Sequence, residues 1–322
     1  MTTLPHLSDR LFITDGGMET TLVFHQGIDL PDFASFDLLR RPGGRQIIED
    51  YFRTYLALAV KNQVGFILES PTWRANPDWG TRLGYSSETL AAANREAIAL
   101  LQTLRQQYES ATTPIVISGC FGPRGDGYSS AIAMTEAEAE HYHRPQMETF
   151  QQAGVDMVAA LTMTYVQEAI GITRAAQAVG LPVVISFTVE TDSRLPSGTT
   201  LKDAIAEVDA ATDNGPAYYM INCAHPTHFA NAFAVDQAWM QRIRGLRANA
   251  SAKSHAELDE STELDAGNPA ELGQQYRELR AQFPHITILG GCCGTDDRHI
   301  EAICQACLPL AWAHLSQPAL IL

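Results

Sequence analysis

Residues 183–223 read VVISFTVETDSRLPSGTTLKDAIAEVDAATDNGPAYYMINC. The stretch opens on a short apolar run, Val183–Thr188, of the kind a strand buried on both faces requires. A polar loop carrying Pro196 and Gly198 follows. The next segment, Thr200–Asp213, places Leu201, Ala204, Ile205 and Val208 at helical spacing, and Tyr218–Asn222 is again a short apolar run. Strand, helix and strand in this order form one parallel crossover unit.

Outward from this unit the same alternation fills the chain. Further strands are predicted at Leu11–Asp15, Gly65–Glu69, Ile115–Ser118, Met157–Leu161, Gly245–Ala250 and Ile286–Leu289. Arg244 and Arg247 interrupt the seventh of the eight. Helical patterns lie between them, including Ser86–Tyr108 and Thr135–Ala153, the latter opening on the capping sequence Thr135-Glu136-Ala137-Glu138. Eight strands, each followed by a helix and with no linker between them, predict a single (β/α)8 TIM barrel of class α/β over residues 1–322. An open doubly wound sheet would announce itself with a glycine-rich nucleotide loop after the first strand, and no such loop is present.

Composition narrows the function. The chain has 322 residues, 45% of them hydrophobic, and a net charge of −15 from 37 acidic and 22 basic residues. No run of Lys or Arg offers a phosphate-binding surface, so no nucleic-acid partner is expected, and a cationic small molecule suits the field better. The N-terminus MTTLPHLSDR has no signal-peptide pattern, and no apolar stretch is long enough to span a bilayer. These features predict a cytoplasmic protein with no membrane partner, in which the six cysteines stay reduced and serve as metal ligands, nucleophiles or core. Oligomeric state is not legible.

In such a barrel, chemistry gathers where strands end. Cys223 ends the sixth strand. Cys292 and Cys293 end the eighth, within Gly290-Gly291-Cys292-Cys293-Gly294. Neighbouring residues of a strand point to opposite faces, so both cysteines reach one ion only if the chain turns, which the flanking glycines allow. Strands six and eight are separated by a single strand, so three thiolates can meet at the mouth. Three soft ligands with a fourth position open describe catalytic Zn2+. Free cysteines more often simply pack, and that reading suits Cys120, Cys304 and Cys307. A closed structural site joining Cys292 and Cys293 to Cys304 and Cys307 is disfavoured, because the latter pair falls in the last helix, away from the mouth.

The chain resembles the homocysteine S-methyltransferase family of zinc-dependent barrels. The resemblance rests on Thr14-Asp15-Gly16-Gly17-Met18-Glu19-Thr20, on Ile221-Asn222-Cys223, and on Gly290-Gly291-Cys292-Cys293-Gly294-Thr295 followed by Arg298-His299-Ile300. It implies methyl transfer from a methyl donor to a small-molecule thiol held on zinc by Cys223, Cys292 and Cys293. It also implies that Asp15 lies in the thiol pocket; the alternative is a turn-forming Asp before two glycines. Family members acting on homocysteine carry a Glu-Thr pair at the fourth strand, whose Glu binds the ammonium group. Here the pair is Leu161-Thr162, and a leucine accepts no hydrogen bond.

Glu69, at the end of the second strand, is the candidate replacement; pairing with Arg74 is the alternative. Thr72, Trp73, Thr162 and Asn222 complete the predicted substrate contacts, with Trp73 facing either a cationic methyl donor or the core. The acidic stretch Ser251–Pro269 reads as a lid or as a solvated loop. The chain ends soon after the eighth helix, which favours a sulfonium donor, S-methylmethionine or S-adenosylmethionine, over cobalamin or folate modules. Other readings are methylation of a different thiol, a metal-dependent hydrolase and a non-catalytic zinc-binding barrel.

Overall fold

A computed structural model describes residues 4–131, 133–233 and 237–315. Eight strands close a parallel barrel in sequence order, with the first strand paired to the second and the eighth. They are β1 (Phe12–Ile13), β2 (Gly65–Glu69), β3 (Ile115–Phe121), β4 (Met157–Met163), β5 (Val183–Phe187), β6 (Tyr218–Asn222), β7 (Ile243–Ala248) and β8 (Ile288–Gly291). The predicted (β/α)8 class is the one found.

Boundaries move where tertiary pairing overrides local pattern. β1 is cut short because the chain turns away after Thr14, whose N–H still bonds to the Leu289 carbonyl. β7 begins two residues earlier than expected and accommodates both arginines: Arg244 reaches out to the Leu7 and Ser8 carbonyls, while Arg247 points inward. The helix expected after β6 is reduced among the described residues to Pro226–Phe229 and two 3-10 turns.

The predicted helices lie at Ser87–Tyr108, Glu136–Ala153 and Leu201–Thr212, and Ser86, Thr135 and Thr200 accept the capping hydrogen bonds. Each cap satisfies a backbone N–H that the helix itself leaves unpaired.

Period-two alternation divides the core and builds the site. Inward residues Phe12, Ile67, Val116, Met157, Val184, Met220 and Ile288 fill the barrel, and Leu4 packs against them. The outward residues, among them Phe66, Leu68, Ile117 and Leu289, pack beneath the helices with Phe52, Ile98, Phe150 and Tyr276. One inward step beyond Ile67 comes Glu69; one beyond Met220 comes Asn222. Gly245 also faces inward, since a Cβ there would stand 2.7 Å from Met220 Cγ, and one step further is Arg247. The polar floor of the mouth is thus the last layer of the barrel interior. Among the described residues, no helix is long and apolar enough to cross a membrane.

Candidate active site and metal centre

The strand ends surround a cavity of about 440 Å³ whose floor carries Asp15, Glu69, Leu161, Asn222, Arg247 and the three predicted cysteines. Cys292 continues β8, its N–H bonded to the Ala248 carbonyl, and the chain then turns at Cys293-Gly294, with Gly294 at φ +78°. At Gly291 a side chain would collide with Thr295. The turn brings two adjacent cysteines to one side, as the glycine frame requires. Cys223 reaches the same point through a left-handed backbone, φ +53°. Non-glycine residues at positive φ are strained and persist where the surroundings impose them, often at functional sites.

Among the described residues, Cys223, Cys292 and Cys293 are the one group placed to hold a metal ion, with ligand atoms all within 4.8 Å of one another. Cys223 Sγ and Cys293 Sγ are 4.0 Å apart, close to the roughly 3.8 Å that tetrahedral zinc with Zn–S near 2.3 Å imposes. Cys223 Sγ and Cys292 Sγ stand closer still, in direct contact. Sulfurs this crowded satisfy one another either through a bond or through a shared cation. The residues fit a soft metal. Cys304 and Cys307 are free and fully buried in the last helix, away from the mouth.

Every sulfur of the cluster has a hydrogen-bond donor. Thr162 Oγ1 donates to Cys223 Sγ (3.9 Å), Asn222 Nδ2 to Cys292 Sγ (3.8 Å), and the Tyr128 hydroxyl to Cys293 Sγ (3.6 Å). Asn222 also accepts from the Thr162 N–H and the Ser186 hydroxyl. Thr162 can face this network because β4 loses register between Ala160 and Met163 and Thr162 adopts φ +63°. That irregularity breaks the alternation, so Leu161 and Thr162 both line the cavity.

The charges on the floor are arranged unsymmetrically. Asp15 Oδ1 accepts from Arg247 (2.7 Å) and Oδ2 from the Tyr51 hydroxyl (3.1 Å). Burial pushes the Asp15 carboxyl up, and Arg247 opposes that shift. Burial also disfavours the Arg247 charge, yet Asp15 and Glu69 together hold it protonated. Arg247 was legible only as a flaw in a strand; a charged residue two positions beyond an inward glycine is the signal that identifies it.

Glu69 lies 5% exposed with Oε2 lacking any partner, and burial raises its carboxyl to about 7 against the pull of Arg247. It does not pair with Arg74. That guanidinium is sandwiched between Trp73 (4.2 Å) and Trp79 (3.9 Å) and donates to the Gly125 carbonyl.

Two other predicted contacts are spent elsewhere. Thr72 lies off the cavity and gives its hydroxyl to the Cys120 carbonyl (2.8 Å). Trp73 lines the cavity, but Arg74 covers one ring face and its indole N–H goes to the Leu161 carbonyl. Glu19, read only as part of a motif, also lines the cavity, with burial raising its carboxyl.

The acidic stretch after β7 is docked over the mouth. It holds a short helix, His255–Asp259, and contributes Leu258, Asp259, Glu263 and Asp265 to the cavity wall. His255 bonds to the Cys223 carbonyl (2.7 Å), and His299 to the Ala266 carbonyl (2.8 Å).

The raised Glu69 carboxyl carries a stability signature. Its folded value, about 7, exceeds the ordinary 4.5, so between these pH values the folded state binds more protons than the unfolded state. Stability therefore falls as pH rises through that window, by at most about 3–4 kcal/mol. Glu69→Gln is expected to remove this slope, so that denaturant unfolding finds the variant more stable than the parent at pH 8 and nearly equal to it at pH 4.5. A gap independent of pH would show that Glu69 ionises in the fold without penalty.

Comparison with known proteins places this site in context. The model of the homocysteine S-methyltransferase family matches residues 12–307. Homocysteine S-methyltransferase YbgG of Bacillus subtilis (strain 168) is 25% identical over 97% of this chain and 98% of its own. The oxidized form of the homocysteine methyltransferase MmuM from Escherichia coli superposes with a TM-score of 0.70 at 20% identity, covering 92% of this chain and 95% of that one. Its metallated form gives 0.68 at 21% identity, covering 92% and 96%.

Proposed function

Because the chain belongs to the homocysteine S-methyltransferase family and is a methyltransferase, we propose that it moves a methyl group from a sulfonium donor, S-methylmethionine or S-adenosylmethionine, to homocysteine bound on zinc. The observation that carries the proposal is the set of three cysteine sulfurs, within 4.8 Å of one another, at the floor of the cavity. A zinc ion there would keep the substrate thiol deprotonated at neutral pH, where a free thiol with a pKa near 8.5 is mostly protonated. The metallated MmuM structure is in keeping with a metal in this fold.

The chain's own residues supply binding and orientation. Glu69 Oε2 and Arg247 Nη1 are buried and without partners, one acceptor and one donor of opposite charge on the same floor. They match the ammonium and carboxylate of an amino-acid thiol, with Asp15 steadying Arg247. Glu69 thereby takes the role that Leu161 cannot. At the rim, Phe24 and Phe33 are 40% and 43% exposed, and carboxylates such as Asp126, Asp259 and Glu263 stand around the opening. Aromatic faces and negative charge attract an onium group. The docked β7 loop shields the two substrates and holds them in register, which is the principal need of an in-line transfer.

The test is a methyl-transfer assay of zinc-loaded protein with both sulfonium compounds, against homocysteine and a thiol lacking the amino group. Turnover of homocysteine with either donor is expected. Absence of transfer to any thiol, with hydrolysis of esters or amides instead, would replace this reading with a zinc hydrolase.

A further inference from the structure

Resting on that reading, the site poses a problem of selectivity. A methyl donor poised beside a zinc-held substrate thiolate also lies beside three cysteine thiolates of the same chemical kind. Attack by one of them would break the sulfonium C–S bond, form S-methylcysteine and release a neutral thioether. The metal would then lose a ligand.

The structure places one hydrogen-bond donor on each protein sulfur: Thr162 on Cys223, Asn222 on Cys292 and Tyr128 on Cys293. A hydrogen bond withdraws electron density from a thiolate lone pair, and bonds to charged acceptors are among the stronger ones. We propose that Thr162, Asn222 and Tyr128 act as positioning residues that blunt the three ligand sulfurs, leaving the substrate sulfur as the preferred methyl acceptor.

The molecule invests in holding these donors. Thr162, a β-branched residue, is kept at φ +63°, and its N–H and hydroxyl are both fixed by Asn222. Tyr128 comes from the β3 loop, 165 residues from Cys293 in sequence, and its ring stacks on His255 at 4.1 Å and 16°. His255 is itself held by Glu190 (2.9 Å) and by the Cys223 carbonyl. The β3 and β7 loops therefore meet in a stacked pair directly against the cysteines. The Asn222 amide oxygen accepts from the Thr162 N–H and the Ser186 hydroxyl, and its nitrogen donates to the Thr162 hydroxyl and to Cys292 Sγ.

The experiment uses iodomethane, a methylating agent that needs no donor pocket, so its outcome is independent of which sulfonium the enzyme takes. Zinc-loaded parent and Tyr128→Phe proteins are treated side by side, and methylation of each cysteine peptide is followed by mass spectrometry. The variant retains the ring and its stack on His255, and loses only the hydroxyl. Methylation at Cys293 is expected to rise roughly tenfold, with Cys223 and Cys292 little changed, and zinc to be released in step. Equal Cys293 rates in the two proteins would overturn the proposal, and so would a uniform rise at all three cysteines, which would mean a general loosening. Thr162→Ser, which keeps a hydroxyl, should protect Cys223 better than Thr162→Ala; equal loss in both would also count against it. If the parent shows no methyl transfer to any thiol but these rates behave as expected, the proposed function fails while the shielding stands.

Discussion

Replacing Cys292 with alanine is expected to take bound zinc from about one ion per chain to near none and to lower methyl transfer roughly a thousandfold or more. The same is expected for Cys223 and Cys293, since each supplies one of three sulfurs clustered at the floor. Cys304→Ala should leave metal content unchanged, because that thiol is buried in the last helix beneath the barrel wall. Metal analysis by mass spectrometry separates the outcomes. Full zinc in Cys223→Ala, with loss in Cys304→Ala, would move the site to the closed arrangement. The fold should outlast the metal: two hydrophobic cores in the barrel interior and beneath the helices do not depend on one ion. Chelated protein is accordingly expected to keep a cooperative thermal transition. Its complete loss would mean that the ion is structural.

The second large effect concerns Glu69. In Glu69→Gln, kcat/KM for homocysteine is expected to fall about thirtyfold or more, the consequence of leaving a buried ammonium without its charged partner. A small thiol with no amino group should be affected far less. Leu161 lines the same cavity, so Leu161→Glu in the Glu69→Gln background should recover part of the loss. Equal losses with both thiols would make Glu69 a structural residue. A parent enzyme that prefers thiols without an amino group would remove homocysteine as the acceptor and leave only the methyl-transfer class.

The barrel and its cysteines were legible because the signals are local. Apolar runs of strand length, helical spacing in Thr200–Asp213 and a capping box at Thr135 each need only a few neighbouring residues. The same holds for Gly290-Gly291-Cys292-Cys293-Gly294, where the glycines announce the turn that faces both thiols one way. Where the pattern was ambiguous, local reading failed. Arg247 looked like a defect in β7, although two-residue alternation from Gly245 turns it inward, to Asp15.

What only the tertiary structure decided is which partner each polar group takes. From sequence, Glu69 could pair with Arg74, and Thr72 could face substrate. In the fold, Arg74 is captured between two indoles and the Thr72 hydroxyl by the Cys120 carbonyl, while Glu69 Oε2 is left unpaired at the floor. The β7 loop could be solvated or docked; its bonds to Cys223 and His299 dock it. Tyr128 carried no local signal at all. It reaches Cys293 because barrel closure makes neighbours of loops that are distant along the chain, and a hydrogen bond of that kind has no imprint in the spacing of residues.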